Sequence, residues 1–351
     1  MQATKGIPVI NVLLFLCYVL LYQARAQALG PDYEVLDNEI VSEDLFPTIV
    51  NGAGAPSVQW SDTLGEYVMF YETKVTTPAG VTCLDDAWEI WSASAAVVEG
   101  PWTLQSIKIG IHATNRPCGA RSPSFVILDN GNWSMLYNVL LENDVDMYAG
   151  WATVIAGTPA LGTLPALDGL ADLTPVRYDG DWYAWGIDAD LASGTYGHLM
   201  YASSTNFTNN ASWSATAEAL DPADLTGWGT DQLVSPSIIC EDGVSAYWPW
   251  HWKGMGVELG DWAFGGSVGN LSMGFASDYE YIWTTYTDNT FRNLDYMRED
   301  DYTLPAEPIG IVFYENEDSV SGLPKIGVAV DGYNGDWTMD TSNLLGRDCA
   351  L

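Results

Sequence analysis

Along most of the chain, apolar and polar positions alternate with a period of two in short runs separated by Gly, Asp and Asn turns, and no long helical periodicity appears. Met200, Ala202 and Ser204, for example, alternate with Leu199, Tyr201 and Ser203, the two-faced pattern of a strand. The pattern predicts an all-β protein.

Two motifs recur in fixed order. The first is a Pro-led apolar strand, a turn and a second, aromatic strand. It runs APSVQWSDTLGEYVMFYET from Ala55, SPSFVILDNGNWSMLYN from Ser122, TPVRYDGDWYAWGID from Thr174 and SPSIICEDGVSAYWPWHW from Ser235. Pro56, Pro123, Pro175 and Pro236 thus lie roughly 50 to 70 residues apart, the length of one propeller blade. The second motif is a small-residue strand ending in a turn and a Trp, seen up to Trp102, Trp213, Trp283 (FASDYEYIW) and Trp337. It supplies a third strand and the start of a fourth. An irregular fifth unit takes IGIVFYENED from Ile309 as its second strand and LPKIGVAVDG from Leu323 as its third. Its innermost strand comes either from Asn293 to Asp300 or from the segment before Ala55. The expected architecture is a five-bladed β-propeller of four-stranded antiparallel blades, which leaves only short, protected strand edges. A pair of β-sandwiches is the rival, and it does not explain the fixed order of the two motifs.

At the start of the chain, Lys5 precedes an apolar stretch from Ile7 to Tyr22 and then Ala24-Arg25-Ala26-Gln27-Ala28. A short apolar core followed by alternating small residues reads as a signal peptide over residues 1–26, leaving residues 27–351 as one propeller domain. The expectation is a secreted protein with no membrane insertion after cleavage. An uncleaved anchor is the alternative, for which the run is slightly short.

Gly 34, Trp 16 and Tyr 19 suit many short aromatic strands joined by tight turns. Lys+Arg 12 against Asp+Glu 46 gives a net charge of −34, which repels phosphate backbones and argues against nucleic-acid binding. Acidity of this kind also keeps an extracellular protein soluble. Outside the leader stand Cys83, Cys118, Cys240 and Cys349. An even number in an oxidising compartment predicts disulfides. Of the three connectivities, proximity favours Cys83 with Cys118 and Cys240 with Cys349. Asn132, Asn206, Asn210 and Asn270 each open an Asn-x-Ser/Thr sequon. His112, His198 and His251 match no zinc spacing, and the acidic turns match no EF-hand loop.

With these repeats in view, the chain resembles the five-bladed propeller glycoside hydrolases, family 43 and its relatives, from about Asp37 to Trp337. The resemblance implies an oligo- or polysaccharide partner at one end of the central axis and three carboxylates there. These are a base before the Pro-Ser of the first blade, an Asp after the Pro of the second and an acid before the third. One carboxyl must protonate the leaving oxygen while another activates water, and the third tunes the acid. The three positions fall on Ala55, Ser124 and Leu173, none of which transfers such protons. Asp172, beside Leu173, is the candidate acid, and Asp44 the candidate base swinging back from before the first blade. Calcium at the axis is implied by the resemblance alone; the residues themselves point to no cofactor and no metal.

Candidate ligand-binding residues are Arg121, whose fork suits a hydroxyl or carboxylate, Ser124, Trp60, and the aromatic cluster holding Trp248, Trp250 and His251. Trp faces stack on pyranose rings, but Trp248, Trp250 and Trp252 also share one strand face that packing between blades would use. The function expected is a carbohydrate-active propeller engaging a glycan in the axial cleft, with hydrolysis weighed against a non-catalytic glycan-binding, adhesion or interaction propeller.

Overall fold

The computed structural model describes residues 33–42, 52–84, 86–128, 130–142, 147–155, 158–225, 231–240, 250–258, 261–270, 274–275, 280–284, 292–299, 310–317, 323–331, 344–345 and 347–349. Residues 1–26, Asp44 and Trp248 lie outside these. The chain is all-β. After β1 (Tyr33–Val41) comes a first meander of β2 (Gly54–Ser61), β3 (Glu66–Val75), β4 (Ala87–Ala95) and β5 (Thr103–Ile109). A second consists of β6 (Gly119–Ile127), β7 (Trp133–Leu140), β8 (Tyr148–Ile155) and β9 (Thr158–Thr163). The third is β10 (Leu170–Tyr178), β11 (Asp181–Asp188), β12 (Leu199–Ser204) and β13 (Ala217–Leu220). The fourth runs through β14 (Gln232–Cys240), β15 (Trp250–Glu258), β16 (Asp261–Asn270), β17 (Gly274–Phe275) and β18 (Glu280–Thr284). The last has β19 (Arg292–Glu299), β20 (Gly310–Glu317) and β21 (Pro324–Asp331), followed by the short β22 (Leu344–Leu345) and β23 (Asp348–Cys349).

These strands form four hydrogen-bonded sheets, because the first two meanders are joined by the parallel pairing of Trp88 with Gly119. The first strands of the meanders, β2, β6, β10, β14 and β19, lie side by side in a closed cycle, with β19 returning to β2. β1 pairs with β21 at the outside of the last sheet, so the segment before Ala55 is an outer strand and the innermost one is β19, the first of the two alternatives. β23 lies parallel on β10. Among the described residues no helix is long and apolar enough to cross a membrane.

The inner strands read as Pro, Ser, Val and Ile because they are covered on both faces; β2 and β14 are buried almost throughout. Four apolar clusters fill the spaces between neighbouring meanders. Tyr137 and Tyr314 lie over Gly150 and Gly327 of the next strand, where a Cβ would come within 2.4 and 2.6 Å of the ring.

Two details correct the sequence reading. In the fourth meander the third strand is β16, and the segment ending at Trp283 supplies β18 outside it; the Gly-rich FGGSVGN of β16 carries little strand signal. In the third meander Pro175 stands two positions beyond the place that Pro56, Pro123 and Pro236 share, a place held there by Leu173, as the bulges described next establish.

Candidate functional site

Every inner strand breaks register at the same point. The pairing skips between Gly54 and Ser57, Arg121 and Ser124, Ala171 and Thr174, Val234 and Ser237, and Arg292 and Asp295. At each bulge one non-glycine residue takes positive φ, namely Ala55 (42°), Ser122 (48°), Asp172 (51°), Ser235 (48°) and Asn293 (43°). Left-handed backbone costs an L-residue about 1–2 kcal/mol, so five repeats of it require compensating bonds. The next position is Pro in three strands, where a bulge has no use for the missing N–H, and Leu173 or Leu294 in the other two.

The five bulges surround one funnel. Its first tier is Ala55, Ser122, Asp172, Ser235 and Asn293, its second Pro56, Pro123, Leu173, Pro236 and Leu294, and its third Ser57, Ser124, Thr174 and Asp295. Asp172, Ser122 and Asn293 are half-buried while the third tier is buried, so the funnel opens at the first tier. Its cavity of about 30 Å³ holds one water-sized group. Ser124 Oγ is buried in this lining with no hydrogen-bond partner among the described residues.

Beneath, the funnel is sealed by Arg347, 1% exposed. Its guanidinium donates to Ser57 Oγ (3.0 Å), Phe125 O (3.0 Å), Ser237 Oγ (3.2 Å) and Ile238 O (3.3 Å), and it pairs with Asp295. Its own carbonyl accepts from the Arg177 amide at 2.6 Å. A single residue from the chain's end therefore bonds to all five inner strands. Asp295 also accepts from Val58 N (2.6 Å) and Ser237 Oγ (2.7 Å).

Around the mouth, the strained amides are clasped by acceptors. Ala55 N donates to Glu315 (3.1 Å), Ser122 N to Glu72 (2.8 Å), Asp172 N to Asn138 (3.1 Å) and Ser235 N to Asp172 (3.1 Å). Asn293 bridges Ser235 Oγ (2.9 Å) and Glu315 (2.7 Å). Burial pushes the Asp172 carboxyl above its usual range; the Ser122 hydroxyl and the Ser235 amide oppose this, the Glu72 charge adds to it and Arg121 opposes it. Burial likewise pushes Glu315 up, with Glu72 adding to it. Glu72, 1% exposed, forms an ion pair with Arg121 at 3.0 Å, and that guanidinium lies 4.3 Å over the Trp88 ring.

The residues singled out from sequence are thus distributed unevenly. Ala55, Ser124 and Leu173 meet in one funnel, and Asp172 lines it. Asp172 holds the place of Ala55 in its strand, one residue before Leu173. Arg121 flanks the mouth as the counter-charge of Glu72. Trp60 lies at the far end of β2, donating to Asp62 (2.8 Å) and packed edge-on against Tyr67. Trp250 and His251 pair with Cys240 and Ile239 at the far end of β14, and Trp252 is wholly buried between the third and fourth meanders. Asp44 and Trp248 lie outside the described residues. Cys83 bonds to Cys118, and Cys240 is also disulfide-bonded. No cluster of metal-ligating side chains occurs among the described residues.

Sequence reasoning missed Glu72, Asn138, Glu315 and Arg347. The first three had a signal, since each follows a buried Tyr in Phe70-Tyr71-Glu72, Leu136-Tyr137-Asn138 and Phe313-Tyr314-Glu315. Arg347 had none.

No protein family and no curated protein matches the sequence. Solved structures do match. Zg3597, a family 117 glycoside hydrolase of Zobellia galactanivorans, is 10% identical with a TM-score of 0.56, over 89% of this chain and 96% of that one. The GH43_1 enzyme of Xanthomonas citri is 12% identical at 0.55, over 87% and 93%. A structure from work on the GH130 mannoside phosphorylases and hydrolases is 12% identical at 0.57, over 89% and 96%. The fold is that of the glycoside hydrolase propellers. At these identities the likeness concerns the fold, and the chemistry must be argued from this chain's own funnel.

Proposed function

We propose that the chain is a secreted five-bladed propeller of four-stranded blades that binds a glycan across its axial mouth without hydrolysing it. Five inner strands in a closed cycle, each opening its own meander, support the blade count. The Cys83–Cys118 disulfide fits an exported protein. The fold of known carbohydrate-active enzymes and an end-on funnel with an unpartnered hydroxyl support a glycan ligand.

One observation carries the preference for binding over hydrolysis. Of the described residues lining the funnel only Asp172 and Asp295 bear carboxyls, and Asp295 is closed off by Arg347. A hydrolase needs one carboxyl to give a proton and another to activate water or attack, and a single open Asp supplies half of that. The hydrolytic reading draws on the raised carboxyls of Asp172 and Glu315, since a general acid must hold its proton; Glu315, however, already receives the Ala55 amide and the Asn293 side chain. A cavity for one water-sized group leaves a sugar ring lying over the mouth with one substituent inserted toward Ser124 and Asp172.

Glycan arrays followed by titration calorimetry, alongside a panel of aryl glycosides, test this. The expected result is saturable binding of a glycan class, weakened about tenfold by Asp172→Asn, and no turnover. Turnover lost in that variant would replace the binding reading by hydrolysis, and an array without signal would remove the glycan.

A further inference from the structure

Away from the mouth, the contact between the first two meanders has two parts. Near the axis it is filled by Phe70, Ile90, Phe125 and Met135. Toward the β2–β3 and β6–β7 turns it opens into a cavity of about 330 Å³. On β4, Ile90 is followed on the same face by Ser92 and Ser94, too small to reach the facing meander. Thr63 and Gly131, from the two turns, approach each other across its rim. Protein interiors rarely keep voids larger than a water molecule, and this volume lies at the lower end of the roughly 300–1,000 Å³ typical of small-molecule sites.

Its chemistry is amphipathic. Phe70 and Trp133, centroids 4.7 Å apart, make an aromatic wall. Beside Phe70 on the same face, Ser94 Oγ accepts from Gln105 Nε2 at 2.8 Å, which leaves its own proton to offer, and Ser92 Oγ donates to Ile107 O at 2.7 Å, which leaves its lone pairs to accept. Half-buried Glu66 lines the cavity with no ion-pair partner among the described residues. A carboxylate without a cation beside an aromatic wall, on a chain of net charge −34, favours a positive head on an apolar body.

We propose that this hollow binds a small organic cation, an ammonium group on an aromatic body, with the ammonium at Glu66 and the ring against Phe70 and Trp133. The site is separate from the axial mouth and does not depend on the glycan reading.

Titration calorimetry of the full chain with 2-phenylethylamine, and with 2-phenylethanol as the neutral isostere, tests it. The amine is expected to saturate one site and to bind at least about tenfold tighter than the alcohol. Glu66→Gln is expected to abolish that difference and leave alcohol binding as it was. Ser94→Leu, which fills the hollow, is expected to remove both while the protein still melts cooperatively. Asp172→Asn should leave amine binding intact, which separates this site from the mouth. No saturable heat at millimolar amine, equal affinity of amine and alcohol in the unmodified protein, or wild-type amine binding in Glu66→Gln would each overturn the proposal.

Discussion

Two sides of the ring solve one backbone problem with different chemistry. On the side of β20, β3 and β7, the strained amides of Ala55, Ser122 and Asp172 are received by Glu315, Glu72 and Asn138, each on the second strand of the preceding meander and each after a buried Tyr. On the other side the corresponding places are Ile187 of β11 and Met255 of β15, preceded by Gly186 and Gly254. There Ser235 has no such acceptor, and the inner-strand Asp172 receives its amide. Asp172, the open carboxyl among the described residues that line the funnel, is therefore also the substitute clasp where the regular one fails. Its place at the open end of the funnel accompanies a packing change one strand away, and that is why the proposed role in binding must be separated from its role in the ring.

The comparison would break if the rim were incidental and the axis alone held the ring. Arg347 tests this, because it bonds to strands on both sides. Removing one member of a buried ion pair costs about 3–5 kcal/mol, whereas replacing both by apolar groups is often neutral. Arg347→Met is expected to lose that much in urea unfolding, and the Arg347→Met, Asp295→Leu double variant to recover most of it. A double variant no more stable than the single would mean that the hydrogen bonds to Ser57 and Phe125, and not the charge pair, hold the axis.

A second variant sharpens the contrast at the rim. Glu72→Ala leaves the Ser122 amide without the acceptor that clasps it, and a buried donor left unpaired costs about 1–3 kcal/mol. Ile187→Ala, at the same place in the third meander, removes side-chain packing only. Chemical denaturation of both, with hydrogen exchange at Ser122, checks whether the loss in Glu72→Ala is local to the clasp. Unchanged protection of that amide would show that the bond contributes little.

Much of this was legible before any coordinates. Alternating strands and Pro-led starts mark four of the five inner strands, and Ser-Pro-Ser or Ala-Pro-Ser marks three of the five bulges that line the funnel. The third meander misled because Pro175 sits two residues late and Leu173 takes the proline's place without changing the bulge. The clasps were half visible, as a Tyr followed by Glu or Asn, but nothing in one strand states that its acceptor serves the next sheet. Arg347 was illegible for a stronger reason, since its contacts join residues as far as 290 positions away and no local pattern encodes such a closure.

The smallest effect concerns protons at the same boundary. Asp172 and Glu315 are both raised by burial, so the folded chain holds their protons more tightly than the unfolded one. Their contribution is fully present below the ordinary carboxylate range and is lost as pH climbs through the raised values. Asp188 runs the other way; burial pushes it up, but the Ser193 and Thr195 hydroxyls, the Asp190 amide and the His198 ring together outweigh that and hold it low. Its contribution is present above the ordinary range and lost on acidification. Asp172→Asn keeps an oxygen for the Ser235 amide and removes the titration, so the variant should gain on the wild type as pH rises above the ordinary carboxylate range, whereas Asp188→Asn should lose to it at lower pH, as pH rises from the lowered value up to that range. Urea midpoints for the three proteins from acid to neutral pH measure both slopes. If Asp172→Asn tracks the wild type throughout, its carboxyl is as well solvated folded as unfolded, and the substitute clasp is a looser contact than the Glu72 and Glu315 clasps it stands beside.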